Sequence, residues 1–117
     1  MTIEELKKEF VKFRDERDWK KFHNPKDLAV SISLEASELL ELFQWKSEKE
    51  INSIPKEKIE EELADILLYC LSMSDILKID LKKATLEKLE KNRKKYPAEK
   101  VKGKAHKYTF YENKKAD

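Results

Sequence analysis

Leu34-Glu35-Ala36-Ser37-Glu38-Leu39-Leu40-Glu41-Leu42 and Glu61-Glu62-Leu63-Ala64-Asp65-Ile66-Leu67-Leu68-Tyr69 are the two stretches that decide how this chain is read. Each carries a pair of carboxylates three residues apart, Glu35/Glu38 and Glu62/Asp65, embedded in apolar neighbours. Solvated acids ordinarily sit among polar residues. Winding residues 28–45 at about 100° per residue puts Glu35 between Leu28 and Leu39, in an arc shared by Ile32, Leu42 and Phe43. Glu35 therefore takes a core-facing position, where an ionised carboxylate needs a cation or strong hydrogen-bond donors, or else takes up a proton. In the second stretch and its surroundings, Ile59, Leu63, Ile66, Cys70 and Leu77 define an apolar stripe, with Glu62, Asp65 and Tyr69 along one edge. Residues three or four apart are neighbours on a helix, so each pair can aim both carboxylates at one point. Hard divalent cations such as Mg²⁺ take oxygen ligands and commonly bridge carboxylates to substrate phosphates. The competing reading is of two solvated faces in a chain that is 43% charged, and the apolar context of both pairs argues against it.

Working outward, the chain reads as almost wholly helical. Thr2 with Glu5 forms a capping box ahead of Ile3, Leu6, Phe10 and Phe13, opening a helix that ends near Arg17 to Trp19. Asn24-Pro25 is an N-cap and first-turn pair for a helix running to about Trp45. Residues 46–58 read as a polar connection. Pro55 favours a fresh start, and the apolar pattern continues to Leu77; Asp80 then caps a helix that Pro97 ends. On that last helix Leu81, Thr85, Lys88, Asn92 and Tyr96 recur at helical spacing, which makes Lys88 and Asn92 candidate ligand contacts. The alternative for them is a Lys stem covering apolar surface and an Asn bonded to a neighbouring helix. The expected fold class is all-α, a four-helix bundle-like arrangement over residues 1–97, followed by a polar, lysine-rich extension over 98–117 whose Lys107-Tyr108-Thr109-Phe110-Tyr111 stretch can pack back onto the bundle.

Composition removes several function classes. With 26 basic against 24 acidic residues, no dominant attraction to nucleic acid or to a membrane surface is implied, although the basic run from Lys88 to Lys107 could contact phosphates. A single glycine, Gly103, excludes a glycine-rich phosphate loop, so phosphates must be met by metal ions and side chains. One cysteine, Cys70, rules out a CxxC zinc site, and His23 and His106 make no HExxH or Glu-x-x-His motif. Cys70 reads as a small hydrophobe. There is no signal-like start, and the most apolar run, residues 63–71, is short and contains Asp65. A soluble, cytoplasmic protein is expected, with no membrane association and no stable nucleic-acid binding.

Five ordered segments carry a resemblance. They are Arg14-Asp15-Glu16-Arg17-Asp18-Trp19 leading to Phe22-His23-Asn24-Pro25, Glu35-Ala36-Ser37-Glu38-Leu39 with Glu41-Leu42-Phe43-Gln44-Trp45, Glu61-Glu62-Leu63-Ala64-Asp65, Asn92-Arg93-Lys94-Lys95-Tyr96-Pro97, and Lys107-Tyr108-Thr109. Together they resemble the all-α nucleoside triphosphate pyrophosphatases of the MazG-like superfamily, in particular the dCTP pyrophosphatase branch, over most of the chain.

The resemblance implies Mg²⁺-dependent hydrolysis between the α- and β-phosphates of a nucleoside triphosphate, giving a monophosphate and pyrophosphate, with the metal on Glu35, Glu38, Glu62 and Asp65. It leaves the general base open between Glu41 and the ligand carboxylates. Carried over position by position, it suggests Trp19, His23, Trp45 and Tyr69 as nucleoside or phosphate contacts, with Lys88 and Asn92 beside them. Phe10 departs from the pattern, lying where animal relatives can carry a polar pocket residue, so base selectivity stays open. It further implies a homotetramer built from tight dimers, with pocket walls drawn from more than one chain. The expected substrate is dCTP or a related pyrimidine deoxynucleotide. Alternatives are a related pyrophosphohydrolase for dUTP, damaged nucleotides or phosphoribosyl-ATP, and a non-catalytic helical interaction module.

Overall fold

The computed structural model describes residues 1–103; the expectations placed on His106 and on residues 107–111 lie outside the described residues. Those described are all-α, with helices α1 (Ile3–Glu16), α2 (Pro25–Phe43), α3 (Glu48–Ile51), α4 (Lys56–Ile76), α5 (Leu81–Lys95) and α6 (Ala98–Val101), and a 3₁₀ turn at Lys20–Phe22. The chain divides into two compact units, the first spanning Met1–Ile79 and the second beginning at Asp80.

Helix starts follow local chemistry. The Glu5 amide donates to Thr2 Oγ1 at 3.1 Å while Glu5 Oε2 accepts from the Thr2 amide at 3.0 Å, a closed capping box that satisfies two otherwise orphaned donors. Asn24 Oδ1 accepts from the Asp27 amide at 2.9 Å with Pro25 in the first turn of α2, and Asp80 Oδ1 accepts from the Lys83 amide at 3.0 Å. The connection expected over residues 46–58 contains one more element, α3, because Ser47 caps a single helical turn through the Glu50 amide. Periodicity over so short a run gives no signal.

In the first unit α4 is the central element, and both α1 and α2 pack on it. The fully buried residues are few: Leu28 and Leu71 among the apolar ones, with Arg14, Ser72 and Ser74. The apolar stripe expected on α4 is only partly inward, since Leu63 and Leu77 are about half exposed. The buried run lies further along the helix at Leu71, Ser72 and Ser74, where small side chains let α1 approach α4 and receive Arg14. Val30, Leu34 and Leu40 on α2 are likewise open to solvent. Between α1 and α2 the chain reverses through Asp18 at φ +55°, a left-handed conformation that Asp tolerates better than most residues. The Trp19 amide then bonds back to the Arg14 carbonyl at 3.1 Å, and the 3₁₀ turn delivers His23 towards α4.

In the second unit α5 ends at Lys95, with Tyr96 as its C-cap ahead of Pro97, and its last turn carries Arg93, Lys94 and Lys95, which complement the helix dipole. Leu81 and Asn92 are half-buried, while Thr85 and Lys88 are exposed.

Candidate active site

The two acidic pairs stand on α2 and α4, the elements that pack together in the first unit. Glu35, Glu62 and Asp65 each bring one carboxylate oxygen within 4.8 Å of the others. Glu38, on the same face of α2 one turn along, acts on both Glu35 and Glu62. Burial pushes the Glu35 carboxyl up to about 7, reinforced first by Glu38 and then by the charges of Asp65 and Glu62. Glu62 is raised by burial and by Glu38, with Glu35 offsetting part of that rise. One oxygen of Glu35 and one of Glu62, both Oε2, are buried with no hydrogen-bond partner.

Buried acceptors of like charge, unpaired and converging, are the donor set a hard oxygen-seeking cation requires. The chemistry of these four side chains fits Mg²⁺. A soft metal would want thiolate or imidazole; Cys70 is half-buried with its thiol pushed up by burial, away from thiolate character.

Glu35 and Asp65 also line a cavity of about 280 Å³ together with Phe10, Phe13, Trp19, His23, Leu68 and Tyr69. Its aromatic wall is continuous: Phe10 stacks on Phe13 at 6.2 Å and on His23 at 6.3 Å, Phe13 meets Trp19 edge-on at 5.7 Å, and His23 faces Tyr69 at 6.1 Å. The Arg17 guanidinium lies 3.8 Å from the Phe13 ring centroid, a cation–π contact that fixes the ring. Phe13 and Trp19 remain more than 40% exposed, so this part of the wall is open to solvent.

Of the residues expected at the site, Glu35, Asp65, Trp19, His23 and Tyr69 share this cavity, and Glu62 and Glu38 join the acidic cluster beside it. Trp45 does not line it; the residue is 91% exposed, just past the end of α2, at φ +63°. Glu41 lines a different groove, with Leu42, Lys46, Ser53, Ile54, Pro55 and Lys58. Lys88 and Asn92 belong to the second unit, where they share one face of α5 with Ala84, Thr85 and Leu89.

Sequence reasoning missed the support behind His23. Arg14, fully buried, donates from Nε to Asp15 Oδ1 at 2.9 Å, from Nη2 to Asp75 Oδ2 at 3.0 Å and from Nη1 to Ser72 Oγ at 3.3 Å. Ser72 Oγ in turn meets His23 Nδ1 at 2.7 Å. Burial works against the charge on Arg14, but Asp15 and Asp75 outweigh it and hold its pKa above the ordinary value. Phe13 and Leu68 were also missed as lining residues; the spacing of Phe13 three residues beyond Phe10 was the available signal.

The family described as MazG-like matches residues 30–109. The chain is 39% identical over 113 residues to dCTP pyrophosphatase 1 of Rattus norvegicus and to that of Bos taurus, and 37% identical to that of Homo sapiens, in each case over 92% of this chain. It spans about two thirds of the length of these relatives, 66% for the rat and human proteins. Among solved structures, a pyrophosphatase from Archaeoglobus fulgidus DSM 4304 superposes with a TM-score of 0.75 at 48% identity, covering 80% of this chain and 91% of the other.

Proposed function

The chain belongs to the MazG-like family, and from that membership and its acid-lined aromatic cavity we propose that it is a Mg²⁺-dependent nucleotide pyrophosphohydrolase acting on dCTP or a related pyrimidine deoxynucleotide. The observation that carries this reading is the convergence of Glu35, Glu62 and Asp65 within 4.8 Å, with two buried oxygens lacking protein partners, beside a wall of stacked rings. Relatives named dCTP pyrophosphatase 1 and a structural neighbour named a pyrophosphatase support it.

In this reading Glu35, Glu38, Glu62 and Asp65 hold the cation, which when bound supplies charge neutralisation and orientation for the triphosphate and acidifies water. Phe13, Trp19 and Tyr69 hold the base by stacking and exclude water from one side of it. Water oxygen bonds to the α-phosphorus, the bond from that phosphorus to the α–β bridging oxygen breaks, and pyrophosphate leaves with the electron pair. The proton released passes to a carboxylate, either Glu41 or one of the ligand acids. Trp45, Lys88 and Asn92 are assigned as further nucleotide contacts. Trp45, standing in solvent on its own chain, serves this role from a neighbouring subunit.

The same reading includes a homotetramer of tight dimers, which the exposed Val30, Leu34, Leu40 and Leu63 support, and a cytoplasmic role in the nucleotide pool. No described helix is long and apolar enough to cross a membrane. The catalytic domain is assigned to residues 1–97, with 98–117 as an extension.

The test is incubation with Mg²⁺ and each common NTP and dNTP, separating monophosphate plus pyrophosphate from diphosphate plus phosphate. Monophosphate and pyrophosphate from dCTP is the expected result. The same products from dUTP or another nucleotide alone would replace the substrate, and diphosphate products would overturn the reaction.

A further inference from the structure

We propose that Arg14 and Ser72 are positioning residues that hold His23 in the neutral form protonated at Nε2, so that the aromatic cavity offers its ligand one hydrogen-bond donor of fixed identity. Arg14 can only donate, and its Nη1 reaches Ser72 Oγ at 3.3 Å. The Ser72 hydroxyl carries one hydrogen. Both Arg14 and Ser72 are fully buried, so solvent does not take that hydrogen up, and leaving a buried hydroxyl donor unused is costly. Among the described residues the acceptor in reach is His23 Nδ1, 2.7 Å away. Nδ1 must then be unprotonated, and the ring proton sits on Nε2.

The charged groups around His23 agree. Arg14 stands behind Ser72, neutralised in part by Asp15 and Asp75, while Glu35 and Asp65 line the same cavity. Burial first, and Arg14 second, hold the imidazole below its ordinary pKa. Among the described residues Nε2 has no protein partner, and the ring lies between Phe10 and Tyr69 on the cavity wall.

A lone N–H there recognises an acceptor: a pyrimidine carbonyl or unprotonated ring nitrogen, or a phosphate oxygen. It penalises a ligand that presents an amino group at that point. This ligand statement rests on the nucleotide reading above; the tautomer does not.

The experiment is ¹⁵N NMR of the full chain labelled at histidine, with His23 distinguished from His106 by a His106→Gln variant. Pyridine-type Nδ1 and pyrrole-type Nε2 at neutral pH are expected. Ser72→Ala, which removes only the hydroxyl, should spread His23 over both tautomers. It should also raise KM for dCTP roughly threefold to tenfold, with kcat altered by less than about twofold. A wild-type ring protonated at Nδ1, an imidazolium at neutral pH, or a folded Ser72→Ala with unchanged tautomer and KM overturns the proposal. Should Ser72→Ala fail to fold, the wild-type spectrum decides. Should the wild type hydrolyse no nucleotide, the substrate reading fails while the spectrum still decides the tautomer.

Discussion

Two charged regions share α4 and have opposite electrostatic character. Towards its end, Arg14 is sealed from solvent yet fully answered, with Asp15, Ser72 and Asp75 each taking a hydrogen bond. Earlier on the same helix, Glu62 and Asp65 face Glu35 and Glu38, four acids of one sign, two of them with a buried oxygen that no protein donor reaches. A paired buried charge holds the fold together, and removing one partner is strongly destabilising. A cluster of unpaired like charges works against the fold unless a bound cation answers it. The contrast sets a paired buried charge and an unpaired acidic cluster along one helix, α4.

Substitutions should split along that line. The largest effect is on activity: Glu35→Ala and Asp65→Ala each lower turnover by on the order of a thousandfold or more without loss of helicity by circular dichroism. Mg²⁺-dependent turnover retained in both would show that these acids do not hold the metal. Next is Arg14→Ala, expected to cost about 2–4 kcal/mol of stability by urea denaturation, since Asp75 and the Ser72 hydroxyl lose their partner.

Smaller, and opposite in sign, is the acidic cluster in metal-free protein. The Glu35 carboxyl is pushed from its ordinary 4.5 up to about 7 in the fold, so folding favours its protonated form. Its full contribution is present below about 4.5 and is lost as pH rises towards 7. Metal-free protein should therefore lose stability across that window. Glu35→Gln should flatten the dependence and raise stability at pH 8 by about 1–2 kcal/mol after screening, and Mg²⁺ should do the same for the wild type. The smallest effect on stability belongs to Trp45→Ala. With the side chain 91% exposed, thermal unfolding should change by no more than about 0.5 kcal/mol, while nucleotide binding weakens.

How much of this was legible in the sequence follows from what each feature depends on. Helix starts depend on neighbours along the chain, so Thr2 with Glu5, Asn24 with Pro25, and Asp80 could be read directly. The acidic pairs were legible because three-residue spacing and apolar flanks survive folding unchanged. Arg14 was not, because burial of an arginine is decided by what another helix presents, here the small Ser72 and Ser74 on α4 fifty-eight residues and more away. Period alone turns Leu63 and Leu77 inward, yet a helix met on only part of its circumference leaves such positions open. Serine at a buried position looks the same in sequence as serine on a surface, so the Ser72–His23 contact is set only by how the helices pack.

Whether the four acids form a metal centre is read by titrating Mn²⁺, a paramagnetic stand-in for Mg²⁺, into the labelled protein while backbone resonances are followed. Selective broadening centred on Glu35, Glu38, Glu62 and Asp65, abolished in Asp65→Asn, is the result expected. Broadening that spreads uniformly over surface carboxylates, or that survives unchanged in the variant, would contradict the assignment of these acids as the metal centre.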